Sequence, residues 1–211
     1  AVEPPEAAVA DAFRAVQAMA EPALREALDR ASVALPTVEF LEHFLAPLLH
    51  RIGSAWQEGR LRVGEEHWAT AMLRTHLGQL FERLNVHRDG RTFLVAAPRG
   101  HRHELGALMV ACVAAERGFR ILYLGADTPE ADLARVAHDT RARALGLSMV
   151  QRTDGVVTLA DVQTLRRLLP ADGALLLGGR GAAALDRAQL PEGVEVLEDL
   201  FGLAQWLGHL L

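Results

Sequence analysis

Near residue 90 the spacing of apolar side chains changes from helical to continuous, and no other feature limits the fold as much. Downstream, short apolar runs at Thr92–Ala97 (TFLVAA), Ile121–Leu124 (ILYL), Ala144–Leu147 (ALGL), Ala174–Leu177 (ALLL) and Val194–Leu197 (VEVL) alternate with helical stretches. A strand that is apolar on both faces needs cover on both, so such runs between helices predict a parallel, doubly wound α/β sheet. Ligands of such sheets bind beyond the carboxyl ends of the strands. Upstream the pattern is helical. Val9, Phe13, Val16 and Met19 recur within Pro5–Met19, and Leu24, Leu28 and Ala31 within Glu21–Leu35. A longer run from Thr37 to Trp56 contains Pro47, which predicts a kink, and Gly59 ends it. Val63–Leu84 follows, with Trp68, Met72, Leu73, Leu77, Leu80 and Phe81 directed inward.

The fold expected is therefore α/β with an all-α N-terminal part: a four-helix bundle over residues 1–85, a polar linker at Asn85–Gly90, and a five-stranded Rossmann-like (flavodoxin-like) domain over 91–211. Half of the 211 residues are hydrophobic, enough for a substantial core, and only 5% are aromatic. A formal net charge of −5 argues against a nucleic-acid surface, which is usually basic. The single cysteine, Cys112, lies in the apolar run LMVACVAA, which excludes a disulfide framework and fits a reducing compartment. No apolar run approaches the roughly 20 residues of a membrane span, so a soluble, cytoplasmic protein is expected. The sequence has no catalytic triad, phosphate-binding glycine loop or paired carboxylates, and an enzyme is not expected.

The loop after the first strand reads Pro98-Arg99-Gly100-His101-Arg102-His103-Glu104-Leu105-Gly106, and a helix follows. Two imidazoles spaced i, i+2 at a ligand-facing position suit a metal, but there is no second cysteine and no HExxH pattern for zinc. Ser148-Met149-Val150 ends the third strand and Gly178-Gly179 the fourth, on the same edge of the sheet. Together these segments resemble the cobalamin-binding domain of methionine synthase, cobalamin mutases and CarH-type photoreceptors. His103 and Gly106 match that family's His and Gly, Ser148 and Val150 its Ser-x-Leu stretch, and Gly178-Gly179 its Gly-Gly. The resemblance implies that His103 is the lower cobalt ligand, with the nucleotide tail running past Ser148 and Gly178-Gly179. His101 stands where the family carries Asp or Glu, the group that orients the ligating imidazole.

Trp56 is followed after nine residues by Glu66-His67, which resembles the Trp-x9-Glu-His motif of CarH-type photoreceptors. The resemblance implies a helical bundle over the upper face of adenosylcobalamin, with Trp56 as a flat lid and Glu66 accepting from ribose hydroxyls. Gln57 replaces the histidine that follows the motif tryptophan in CarH proteins, so a bis-histidine photoproduct is not expected. The CarH-type DNA-binding segment is not part of this chain, and no direct nucleic-acid contact is expected. Photocobilins share the architecture and add a bilin, so biliverdin is a further candidate cofactor. Arg74, His76, Arg99, Arg102, Arg152 and Arg180 are candidates for its propionates.

Elsewhere, His43, His50, His76, His138 and His209 read as surface or interface groups, Trp68 as bundle core, and Asp127-Thr128 as an N-cap before Pro129. The expected function is a cobalamin-binding light sensor that signals through self-association or an effector protein. The alternative is a corrinoid carrier for methyl transfer.

Overall fold

The computed structural model describes residues 5–86, 89–149 and 158–210. The chain divides into two compact units, residues 1–79 and 80–211, and the division falls within one helix.

In the first unit, α1 (Pro5–Gln17) buries Val9, Phe13 and Val16. Met19, expected to face inward with them, is 49% exposed. It lies beyond the helix at φ +48, where Ala20 N–H bonds Ala15 C=O and Met19 N–H bonds Val16 C=O. This is a Schellman closure, and its left-handed residue turns the chain out of the helical stripe. Helix α2 (Glu21–Ala34) buries Leu24, Leu28 and Ala31.

The kink expected at Pro47 takes the form of a widened turn. Between α3 (Thr37–Glu39) and α4 (Ala46–Gln57) the chain forms a π-helical turn, Phe40–Leu45, directly before the proline. Ala46 N–H reaches back five residues to Leu41 C=O. Proline has no N–H, and its ring would strike the carbonyl four residues back, so a wider turn relieves both problems. Phe40 and Phe44 stack at 5.7 Å within that turn.

Helix α5 (Val63–Leu84) buries Ala69, Leu73, His76, Leu77 and Leu80 along one stripe. The expectation of a surface His76 is therefore corrected. It falls on the apolar stripe, its ring 5.8 Å from Phe40 and its Nδ1 3.6 Å from Asp29. Trp68 is only half-buried.

In the second unit, five parallel strands stand in the order β2-β1-β3-β4-β5. They are β1 (Thr92–Pro98), β2 (Arg120–Thr128), β3 (Ala144–Ser148), β4 (Ala174–Gly178) and β5 (Val194–Leu197). The crossovers are α6 (Leu105–Glu116), α7 (Glu130–Asp139), α8 (Leu159–Leu168) and the short α9 (Arg180–Ala183), and α10 (Leu200–Gly208) closes the unit. Helix α6 packs with α10 and α7 with α8, so both sheet faces are covered, as continuous apolar strands require. Leu94, Ala96, Leu133, Leu145, Val162 and Leu165 join one core, and Phe93 meets Phe119 edge-on at 5.9 Å.

Asn85, just past α5, bonds the edge strand twice. Its Nδ2 donates to Ile121 C=O at 3.4 Å, and Ile121 N–H donates to its Oδ1 at 3.2 Å. Phe81 lies 6.1 Å from the Tyr123 ring. Among the described residues, no helix is long and apolar enough to cross a membrane.

Cys112 is fully buried on α6, and burial pushes its thiol from 9.0 up to about 12. The folded thiol keeps its proton at a pH where the unfolded thiol has lost it. Stability is therefore expected to fall as pH rises from 9.0 through about 12. A disulfide reagent at neutral pH should label Cys112 only at the rate of unfolding, read as labelling against denaturant; immediate labelling of folded protein contradicts this burial.

Candidate functional site

The loop that follows β1 is built around one tight turn. His101 N–H donates to Pro98 C=O at 3.0 Å, and Gly100, at the third position of the turn, has φ +79. That position of a type II turn needs positive φ, which is why a glycine stands there. The turn leaves His101 buried, at 3% exposure, and His103 exposed. Of the two imidazoles, only His103 is presented at the carboxyl edge of the sheet. Glu104, next in the chain, accepts from the Tyr123 hydroxyl at 2.8 Å and begins α6.

Gly106 lies in the first turn of α6, beneath the end of β3. A Cβ at this position would stand 2.5 Å from Ser148 Oγ, so Gly106 and Ser148 form one contact. Ser148 pairs with Gly178 in the β3–β4 register, and Met149 N–H donates to Gly178 C=O at 2.9 Å. The two glycines that follow serve different ends. Gly179 has φ +89, and a Cβ there would lie 2.4 Å from Met149 C=O, so the chain itself requires it. A Cβ on Gly178 meets nothing within 4 Å among the described residues, whose packing therefore does not call for a glycine there. Val150 lies outside the described residues, as does Arg152. His103, Gly106, Ser148, Gly178 and Gly179 thus share the carboxyl edge of the sheet, while His101 lies buried in the turn beneath it.

Trp56, Glu66 and His67 belong to the first unit. Trp56 is 44% exposed at the end of α4, unlike the buried residues that precede it in its stripe. The paired glutamates divide their tasks. Glu65 Oε2 accepts Arg62 N–H at 2.7 Å and so caps the start of α5. Glu66 takes no part in the cap. Its Oε2 lies 2.6 Å from His67 Nδ1, and its Oε1 accepts from Thr70 Oγ1 at 2.8 Å. A carboxylate held from two sides has a fixed direction before anything binds it.

Sequence reasoning missed Asp127. The expected N-cap is corrected: β2 continues through Thr128, Pro129 is the residue before the helix, and α7 starts at Glu130. Asp127 has φ +54, and its Oδ1 accepts Gly100 N–H at 2.7 Å. The only sequence signal was an Asp that tolerates left-handed backbone just after a glycine pair-breaker, Gly125. Of the bilin candidates, His76 is buried in the bundle, and Arg99 lies 3.6 Å from Glu130.

Residues 9–81 match the B12 binding domain family. The chain is 32% identical over 168 residues to the HTH-type transcriptional repressor CarH of Myxococcus xanthus, covering 80% of this chain and 56% of the repressor. It is 35% identical over 124 residues to the repressor CarA of the same organism, covering 59% of this chain and 41% of the relative. The chain thus spans about half the length of these two relatives. The structure of the Methanosarcina barkeri monomethylamine corrinoid protein superposes with a TM-score of 0.71 at 14% identity, covering 95% of this chain and 96% of that one. Both chains share the fold, helical part included.

The Gly106–Ser148 contact is testable by a double-mutant cycle. Gly106→Ala is expected to cost about 1–3 kcal/mol beside Ser148 and far less in a Ser148→Ala background, measured by urea unfolding. Equal costs in the two backgrounds contradict the contact.

Proposed function

We propose that this chain is a cobalamin-binding light sensor and not an enzyme, with His103 as the lower cobalt ligand. The observation that carries the reading is the exposure of His103 at the carboxyl edge of β1 while its neighbour His101 is buried in the turn. The residues present fit the group. Neutral imidazole is a good cobalt ligand, the hydroxyl of Ser148 can accept or donate to a polar tail, and the space beside Gly178 is open among the described residues. Among those residues no cluster of three or more His, Cys, Asp or Glu is present. A corrin brings its own nitrogen donors, so a single protein side chain such as His103 would suffice to hold the metal.

When bound, adenosylcobalamin supplies a cobalt–carbon bond that visible light cleaves. His103 would hold the metal through its imidazole, and Ser148, Gly178 and Gly179 would face the nucleotide tail. Glu66, whose carboxylate contacts His67 and Thr70, would accept hydrogen bonds from the ribose hydroxyls, and Trp56 would offer an apolar plane. The first unit is the two-state element: contacts that Trp56 and Glu66 make in one state and not in the other bias its equilibrium. The output is self-association or effector binding, without direct contact to nucleic acid by this chain. Biliverdin is a second candidate ligand, with Arg99 and Arg102 near the His103 loop as propionate partners.

Illumination of the adenosylcobalamin complex is expected to change its absorption spectrum and its elution volume. Spectra that ignore light end the sensor reading. In His103→Ala the dark spectrum is expected to lose the His-ligated form; if it persists, His103 is not the ligand.

The likeness in fold to a corrinoid protein supports a second reading, a carrier for methyl transfer. A sensor is expected to hold adenosylcobalamin at least about tenfold more tightly than methylcobalamin, since Trp56 and Glu66 then meet the adenosyl group, a difference of roughly 1.4 kcal/mol. Equal affinities by equilibrium dialysis favour the carrier.

A further inference from the structure

Three residues other than glycine have positive φ among the described residues: Met19, Asp127 and Arg141. Met19 and Arg141 close helices. Arg141 N–H bonds His138 C=O and Ala142 N–H bonds Ala137 C=O, repeating at α7 the closure seen at α1. Asp127 closes no helix. It is the second-last residue of β2, and the cost of its backbone needs another cause.

That cause is the histidine loop. Asp127 Oδ1 accepts Gly100 N–H at 2.7 Å, and Asp127 N–H donates to His101 C=O at 3.1 Å. The residue therefore holds the two peptide groups that flank the Gly100–His101 bond, Arg99–Gly100 through its N–H and His101–Arg102 through its C=O, and His103 is the next residue along. A carboxylate thus reaches the loop from the neighbouring strand. We propose that Asp127 is the positioning residue that sets the direction of His103. The proposal rests on the reading of His103 as a cobalt ligand.

Two substitutions separate the hydrogen bond from the backbone. Asparagine tolerates positive φ and keeps an acceptor oxygen, whereas glycine keeps the backbone freedom and removes the acceptor. In the unliganded chain, Asp127→Gly is expected to speed amide exchange at Gly100, while Asp127→Asn leaves it near wild type. A thermal melt of each variant checks that the fold is retained, and glycine relieves the strained position. The full chain, labelled with heavy nitrogen, is then loaded with cob(II)alamin. Paramagnetic resonance distinguishes cobalt coupled to protein nitrogen from cobalt coupled to the cofactor's own base.

Wild type and Asp127→Asn are expected to show coupling to protein nitrogen. Asp127→Gly is expected to lose it in favour of the cofactor base and to bind cob(II)alamin roughly tenfold more weakly, the usual scale for removing the partner behind a metal ligand. If Asp127→Gly keeps both the coupling and the affinity, or Gly100 exchange is unchanged, the proposal is overturned. The same holds if Asp127→Asn behaves like Asp127→Gly. A different result, wild type without protein-nitrogen coupling or His103→Ala retaining it, removes the cobalt-ligand reading itself and this proposal with it.

Discussion

The second unit depends on β1 having hydrogen-bonded neighbours on both sides. From Phe93 to Ala97 every side chain is buried, and β2 and β3 pair with the strand along either edge. Such a strand has no freedom to shift, because a slip by one residue would exchange the contents of two cores. The rigidity passes to its end. Pro98 brings no N–H to continue the ladder, and the type II turn at Gly100 carries the chain off the sheet into α6. The helices that follow β1 and β3 pack with different partners, α6 with α10 and α8 with α7. The carboxyl edge between these two strands is thus the switch point where a doubly wound sheet opens a crevice. His103 follows a strand that is buried along its length and paired on both edges, at the place where the fold opens its crevice.

The small residues around that edge are explained by two different kinds of neighbour. Gly106 is small because Ser148 Oγ faces it, and Gly179 because Met149 C=O does. These contacts hold the ends of β3 and β4 together. Gly178 has no such neighbour among the described residues.

Most of the architecture was legible because apolar spacing is a direct record of burial. The five strands fall where continuous runs predicted them, and β2 extends further, through Thr128, because its last residues are only partly buried and leave no apolar trace. The π-helical turn was legible as a kink, since proline chemistry demands some departure, but which departure depends on the aromatic packing of Phe40 and Phe44. His76 was misread because periodicity counts apolar residues only, and a polar residue on the stripe registers as a gap. Asp127 was beyond reach for another reason. Its partners, Gly100 and His101, lie 27 and 26 residues away in sequence, and an Asp-Thr-Pro run reads locally as a helix cap. Within the candidate site, local motifs revealed which residues gather at the sheet edge, whereas which imidazole is exposed depends on the Pro98–His101 backbone turn, which a remote side chain contacts at Gly100.

The two bonds of Asn85 have a consequence at the margin of the sheet. As the first strand in the order, β2 offers one open row of backbone donors and acceptors, the kind of margin along which chains stack into aggregates. In a parallel strand the N–H and C=O of one residue point the same way, and those of Ile121 are both taken by the Asn85 side chain. An incoming strand would have to displace that amide before it could zip up from the amino end of β2. A single polar side chain at the foot of α5 thereby plugs the margin against unwanted pairing.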